Sequence, residues 1–185
     1  MSSRVSSLSA ARGFGLVEVM VSVLLLAVGV LGFVGLQTVS IDASSDGLVK
    51  SNIITVMRDA SDRVRFNPTE LDTYRAELIE LDEALESTGT ATEPTNNCLD
   101  RTCTPEEQAE LDSFQAATKA YESGFRLQMD TCPGTENNGI MQTECLIGSW
   151  GETSPTVGSD ADVDCIDDAT GTYFRAADCL IMEIQ

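Results

Sequence analysis

Residues 12–37 of the chain read RGFGLVEVMVSVLLLAVGVLGFVGLQ, and this stretch separates two different kinds of sequence. From Val19 to Ile41 there are 23 residues without a charged side chain. As an α-helix, such a segment would rise about 35 Å, more than the ~30 Å thickness of the hydrocarbon core of a bilayer. The sequence therefore predicts one membrane-spanning helix near the N-terminus.

Charge divides the chain at the same place. Residues 1–41 contain Arg4, Arg12 and Glu18 as their only charged side chains, for a net charge of +1, whereas the 185-residue chain carries −19. Residues 42–185 therefore carry −20. The positive-inside rule predicts a cytoplasmic N-terminus and a periplasmic remainder. So acidic a remainder disfavours direct nucleic-acid binding, because phosphate contacts need clustered Lys and Arg.

The composition also limits the chemistry of the chain. There is no histidine, and therefore no histidine-based acid, base or metal ligand. Residues 42–185 contain no phosphate-binding glycine loop and no convincing nucleophile–base pair, and 30 acidic residues make chance carboxylate pairs inevitable. We predict neither an enzyme nor a cofactor. A periplasmic enzyme or binding domain on a simple membrane anchor is the alternative from another class.

The targeting signal precedes the apolar run. A secretory signal peptide has an apolar core of about 7–15 residues with its cleavage site behind it. Here the core is longer, and a Gly, an aromatic residue and a lone Glu stand before it, at Gly13, Phe14 and Glu18. This arrangement resembles the class III signal of type IV pilins and pseudopilins. The resemblance implies that prepilin peptidase removes residues 1–13 and methylates the new amine of Phe14. Gly15 departs from the Thr or Ser that is usual in the family.

The match to the family covers about residues 12–37. Its ending, Gly-Val-Leu-Gly-Phe-Val-Gly-Leu-Gln, is similar to minor pilins of the PilV type rather than to major pilins. That resemblance implies a role in priming pilus assembly within a minor-pilin tip complex, with adhesion and twitching motility as indirect outcomes. A minor pseudopilin of a type II secretion system carries the same signal and helix and is the nearest alternative.

The resemblance also implies partners and location. The partners are other major and minor pilins through the N-terminal helix, prepilin peptidase, the inner-membrane assembly platform, a tip adhesin, and the lipid bilayer before assembly. The chain would cross the inner membrane once, with its head in the periplasm, and then join a pilus on the cell surface.

Glu18 is the sharpest candidate site residue. A carboxylate within a bilayer costs a few kcal/mol unless it is paired or near the interface. It either favours the positive end of its own helix dipole or, as the fifth residue of the processed chain, pairs with the Phe14 amine of a neighbouring subunit. Such a pair would set the axial register of the subunits and neutralise both charges.

The helix is expected to continue beyond the membrane. Residues 42–66 carry apolar side chains at helical spacing, and Pro68 is expected to end the helix. These positions are Val49, Ile53, Val56, Ala60 and Val64. The sequence predicts one helix from Phe14 to about Phe66, with residues 14–41 as membrane and filament core; the alternative is two helices with a break at 44–47.

Residues 67–185 are expected to form the head domain. Two helices are predicted, at about 69–87 and 105–123, the second starting with a capping Thr104, Pro105 and Glu107. The expected buried stripes, for which a coiled-coil partner surface is the alternative, are Leu71, Tyr74, Leu78, Leu81, Leu85 and Leu111, Phe114, Thr118, Tyr121, Phe125. Short β-prone runs predict a small antiparallel sheet at about 139–185. The fold class is α+β, and the resemblance implies a type IV pilin fold in which the long helix packs on this sheet.

Six cysteines lie beyond the membrane segment. Their spacings form no paired CxxC units, and an oxidising compartment favours disulfides over the competing zinc site. Fifteen pairings are compatible with the sequence. Sequence proximity favours Cys98–Cys103, Cys132–Cys145 and Cys165–Cys179.

One acidic run has a metal-like spacing. Asp160, Asp162 and Asp164 occupy positions 1, 3 and 5 of a calcium loop, but Cys165 and Gly171 stand where an EF-hand has Gly and Glu. We predict no metal site and interpret the run as a solvated acidic loop. Calcium binding at these three residues, as in some pseudopilins, is the alternative.

Overall fold

A computed structural model describes residues 15–98, 101–133 and 143–184. The chain divides into two compact units, Met1–Asp46 and Gly47–Gln185, called here the N-terminal and C-terminal units. The elements are helices α1 (Leu16–Phe66), α2 (Leu71–Thr88) and α3 (Pro105–Glu122), and strands β1 (Arg126–Thr131), β2 (Glu144–Ser149), β3 (Ser154–Gly158), β4 (Asp164–Asp167) and β5 (Cys179–Ile184). The α+β class predicted from sequence is confirmed.

Helix α1 begins in the N-terminal unit, where it is apolar on every side. Residues 16–41 are exposed throughout, and Leu16–Ile41 is long and apolar enough to cross a membrane, judged by length and composition. Residues 44–47, the position of the alternative helix break, lie within α1.

In the C-terminal unit, α1 is amphipathic. Its buried apolar side chains are Ile53, Val56, Met57, Ala60 and Val64, four of which the helical spacing predicted. The helix ends at Phe66, as Pro68 predicts, because proline lacks the amide hydrogen that a further turn needs. A single 3-10 turn, Pro68–Glu70, leads into α2.

The apolar spacing predicts the buried face of α2 better than that of α3. The predicted stripe on α2 is buried at Tyr74, Leu78, Leu81 and Leu85. The stripe predicted on α3 is confirmed only in part: Leu111 and Phe125 are buried and Phe114 packs against the core, but Tyr121 is 42% exposed. The apolar part of the buried face of α3 also contains Ala109, Ala116, Ala117 and Ala120. Small side chains allow α3 to pack closely within the core.

The start of α3 follows its sequence signal. The Thr104 hydroxyl accepts a hydrogen bond from the Glu107 amide at 3.2 Å, and the Glu107 carboxylate accepts one from the Thr104 amide at 3.0 Å. Pro105 is the first residue of the helix. The predicted N-terminal cap is therefore confirmed.

The predicted small antiparallel sheet is confirmed by the pairing of β2 with β5, but the strands differ from the prediction in two respects. Strands β1, β2 and β5 form an antiparallel sheet with β2 in the centre, and β1 lies before residue 139, where strands were not expected. Strands β3 and β4 form a separate parallel pair. The turn at Asp160, whose carbonyl accepts the Asp164 amide, returns the chain so that Asp164 pairs with Ser154.

Gly148 on β2 marks the close approach of α1 to the sheet. A Cβ atom at Gly148 would lie 2.9 Å from Cγ2 of Ile53 and 3.1 Å from Sδ of Met57. Only a residue without a side chain fits this contact without displacing the Ile53 and Met57 side chains.

We expect Gly148→Ala to lower the free energy of unfolding by about 1–3 kcal/mol, because the added methyl group overpacks the contact between α1 and β2. The measurement is urea unfolding of the full chain in detergent. Gly47→Ala is the matched control, since a Cβ there meets nothing within 4 Å, and alanine stabilises a helix relative to glycine by up to about 1 kcal/mol. Equal effects of the two substitutions would contradict the close approach.

Candidate functional site

Glu18 lies in the first turn of α1. Its amide donates to the carbonyl of Gly15 at 2.9 Å, and its own carbonyl accepts the Ser22 hydroxyl at 2.7 Å. The side chain is exposed and makes no ion pair within the described part of the chain. A carboxylate in this turn interacts favourably with the positive end of the helix dipole. Gly13 and Phe14, the predicted cleavage and methylation residues, lie outside the described residues.

The apolar surface that follows Glu18 is fully accessible in the isolated chain. Leu24, Leu25 and Leu26 are between 62% and 69% exposed. Burying a leucine side chain is worth about 1.5–3 kcal/mol relative to leaving it in water. A surface of this length therefore requires lipid or protein around it.

In the C-terminal unit, Arg63 joins α1 to α3. Its guanidinium donates to Asp112 at 2.6 Å and to Gln115 at 2.9 Å. The Tyr74 hydroxyl of α2 donates to the other oxygen of Asp112 at 3.1 Å. Burial, together with the Asp112 charge, raises the pKa of Tyr74, so the hydroxyl remains protonated and continues to donate.

Arg126 joins β1 to α2 by a bidentate contact. Its Nε and Nη2 atoms donate to the two oxygens of Asp82 at 2.9 and 2.6 Å, and Nη1 donates to Glu86 at 2.8 Å. Asp82 is 3% exposed and also accepts a hydrogen bond from Gln128. The hydrogen bond with Asp82 raises the pKa of Arg126.

A third pair, Arg75 with Glu144, joins α2 to β2. The three arginine pairs thus connect the helices to one another and to the sheet, and their side chains are engaged within the unit. Sequence patterns do not reveal these pairs because the paired residues are far apart in sequence: 49 positions for Arg63 and Asp112, and 44 for Arg126 and Asp82. No short-range signal marks such a pair.

The six cysteines form three disulfides, Cys98–Cys103, Cys132–Cys145 and Cys165–Cys179. These are the pairs that sequence proximity favoured. No free cysteine remains, so the alternative of a zinc site is wrong. The second bridge joins the end of β1 to β2, and the third joins β4 to β5.

The acidic run forms a turn between β3 and β4. The two oxygens of Asp164 accept the Thr156 hydroxyl at 2.6 Å and the Asp160 amide at 2.9 Å. The carboxylate of Asp160 accepts the Asp162 amide at 3.1 Å. Within the described ranges, no three Asp, Glu, Cys or His side chains are grouped so that they could hold a metal ion.

Two family models match the chain. Residues 8–34 match the prokaryotic N-terminal methylation motif, and residues 35–114 match the model described as type IV pilin Tt1218. No curated protein and no solved structure matches. The residues that match the methylation motif are thus followed directly by residues that match a type IV pilin model, and the two matches together support a pilin or pseudopilin role. They also support a membrane-anchored chain that interacts with other pilins and with prepilin peptidase.

We expect Arg126→Ala to lower the free energy of unfolding by about 3 kcal/mol, because it leaves the buried Asp82 carboxylate without its charged partner. The matched control is Arg101→Ala. Arg101 also pairs with a carboxylate, that of Glu107, but its side chain is 51% exposed, and exposed pairs contribute less than about 1 kcal/mol. Urea unfolding of both variants tests the difference, and similar losses would contradict it.

Proposed function

We propose that the chain is a minor type IV pilin of the PilV type that takes part in priming pilus assembly within a minor-pilin tip complex. The observation that carries the proposal is the order of its parts: a methylation motif, an exposed apolar helix, and a pilin domain. The proposed role is structural and not enzymatic. Arg63, Arg75 and Arg126 each pair with a carboxylate of the same unit. This structural use of the three cations supports a structural role for the chain.

In this proposal, each segment of the chain has its own role. Residues 1–13 form the leader, residues 14–41 anchor the chain in the inner membrane and later in the filament core, and residues 42–66 continue the spine. Residues 67–185 form the head, which lies in the periplasm and then on the pilus surface. Disulfides suit this head because its location is oxidising.

Assembly would work through Glu18 and Phe14. Prepilin peptidase cuts between Gly13 and Phe14 and methylates the amine of Phe14. As the subunit leaves the bilayer, the Glu18 carboxylate pairs with the Phe14 amine of a neighbouring pilin. The pair neutralises two charges within an apolar helical bundle, where an isolated charge is costly, and thereby sets the register of the subunits.

The mature N-terminus tests the processing step. Mass spectrometry of the chain from its native host should find N-methyl-Phe14 as the first residue. Gly13→Asp is the control variant, because it alters the residue before the cut and should leave the leader attached. An intact Met1 in the native chain, or a cut beyond Ile41, would instead indicate a plain anchor or a secreted domain.

Glu18→Ala tests the assembly step. We expect at least about a tenfold loss of the chain from sheared pili, equivalent to about 1.4 kcal/mol, with processing at Phe14 retained. The matched control is Ser22→Ala, one turn further along α1, which should be incorporated normally.

Normal incorporation of the Glu18→Ala chain would contradict the pairing role. Absence of the unaltered chain from pili, together with a secretion defect on its deletion, would assign the chain to a type II secretion system instead.

A further inference from the structure

The three disulfides differ in their exposure to solvent. The sulfur-bearing residues of the bridges near the sheet are Cys132, Cys145, Cys165 and Cys179, none more than 7% exposed. Cys98 and Cys103 are both partly exposed. Attack on a disulfide requires contact between a thiolate and one of its sulfur atoms. Exposure therefore favours reaction at the Cys98–Cys103 bridge.

The backbone at this bridge differs too. Cys98 has φ +53°, the one positive φ at a residue other than glycine in the described part of the chain. An L-residue in the left-handed region is strained relative to glycine. The bridge also spans 5 positions of sequence, compared with 13 and 14 for the other two. In the chain-entropy model, a shorter loop contributes less stability, so opening this bridge costs the fold less than opening either of the others.

Open space adjoins both cysteines. Cys103 lines a cleft of about 450 Å³ next to Phe66 and Thr104, and Cys98 lines a second cleft of about 290 Å³ next to Glu93. A small thiol reagent therefore has room beside the bridge, whereas the two buried bridges require local opening of the core first.

The two sulfurs of the bridge are not equivalent. Cys103 directly precedes Thr104, the N-terminal cap of the 18-residue helix α3. The N-terminal end of a helix stabilises a nearby thiolate and makes it a better leaving group. Cys98 belongs to the loop before α3 and lacks this stabilisation. Attack at Cys98, with Cys103 leaving, is therefore the favoured direction.

We propose that Cys98–Cys103 is a thiol-exchange site of the C-terminal unit, whose co-reactant is a low-molecular-weight thiol. The thiolate of the reagent attacks Sγ of Cys98, a new S–S bond forms there, and the Cys98–Cys103 bond breaks. Cys103 leaves with the electron pair as a thiolate and takes a proton from water. A second thiolate of the reagent then attacks the reagent sulfur of this mixed disulfide, and Cys98 leaves as a thiolate that takes a proton from water. The two reagent molecules, now joined by a disulfide, have supplied both electrons.

The test uses the full oxidised chain in detergent with reduced glutathione as the probe. Samples are quenched with acid over time, free thiols are alkylated, and peptides are mapped by mass spectrometry. Arg101 lies between the two cysteines, so trypsin places them on separate peptides. We expect the Cys98–Cys103 bridge to open at least about tenfold faster than the others, with the glutathione adduct on Cys98.

Equal opening rates for the three bridges, or earlier opening of a buried bridge, would overturn the proposal. An adduct mainly on Cys103 would overturn the direction of attack. The control is the Cys98→Ser/Cys103→Ser double variant, in which the two buried bridges should react at their unaltered rates. Faster reaction of those bridges would show that Cys98–Cys103 holds the whole unit together and is not an independently exchangeable site.

Discussion

The contact between α1 and the centre of the sheet is the constraint on which the C-terminal unit depends. Ile53 and Met57 lie so close to Gly148 that a single Cβ would meet them at 2.9 and 3.1 Å. One face of α1 is therefore closed by β2, and the same apolar cluster extends from there to α2, α3 and β1. The absence of a side chain at Gly148 allows Ile53 and Met57 of α1 to pack directly on β2.

Arginine pairs and disulfides reinforce this arrangement in a unit with a large excess of acidic groups. Asp82, Asp112 and Glu144 are each nearly buried, and each has an arginine partner. A buried carboxylate without such a partner would strongly favour unfolding. The Cys132–Cys145 and Cys165–Cys179 bridges connect strands within the core, whereas the cysteines of the Cys98–Cys103 bridge are partly exposed.

In the N-terminal unit, apolar side chains are exposed instead of buried. Between Leu16 and Ile41 the helix has no buried face, because its apolar side chains are exposed on all sides. In water this surface is unfavourable, and lipid or other helices must cover it. The match of residues 8–34 to the N-terminal methylation motif overlaps this exposed helix, and membrane anchoring is consistent with that exposure.

Features that depend on neighbouring residues can be predicted from sequence alone. These include the apolar run, the end of α1 before Pro68, the capping box at Thr104 and the methylation motif, because each signal lies within a few positions of the structure it specifies. The disulfide pairs followed from proximity as one choice among many, and only the folded chain decides among them.

Tertiary contacts determine the full extent of the sheet, the alanine face of α3 and the ion pairs. Strand β1 is recognised by its pairing with β2, and β3 and β4 pair in parallel on the two sides of the turn at Asp160. The periodicity of α3 pointed to Tyr121, yet its packing selected alanines. Arg63 and Arg126 find partners more than 40 positions away. Long-range contacts of this kind depend on the packing of whole elements, which local sequence patterns do not encode.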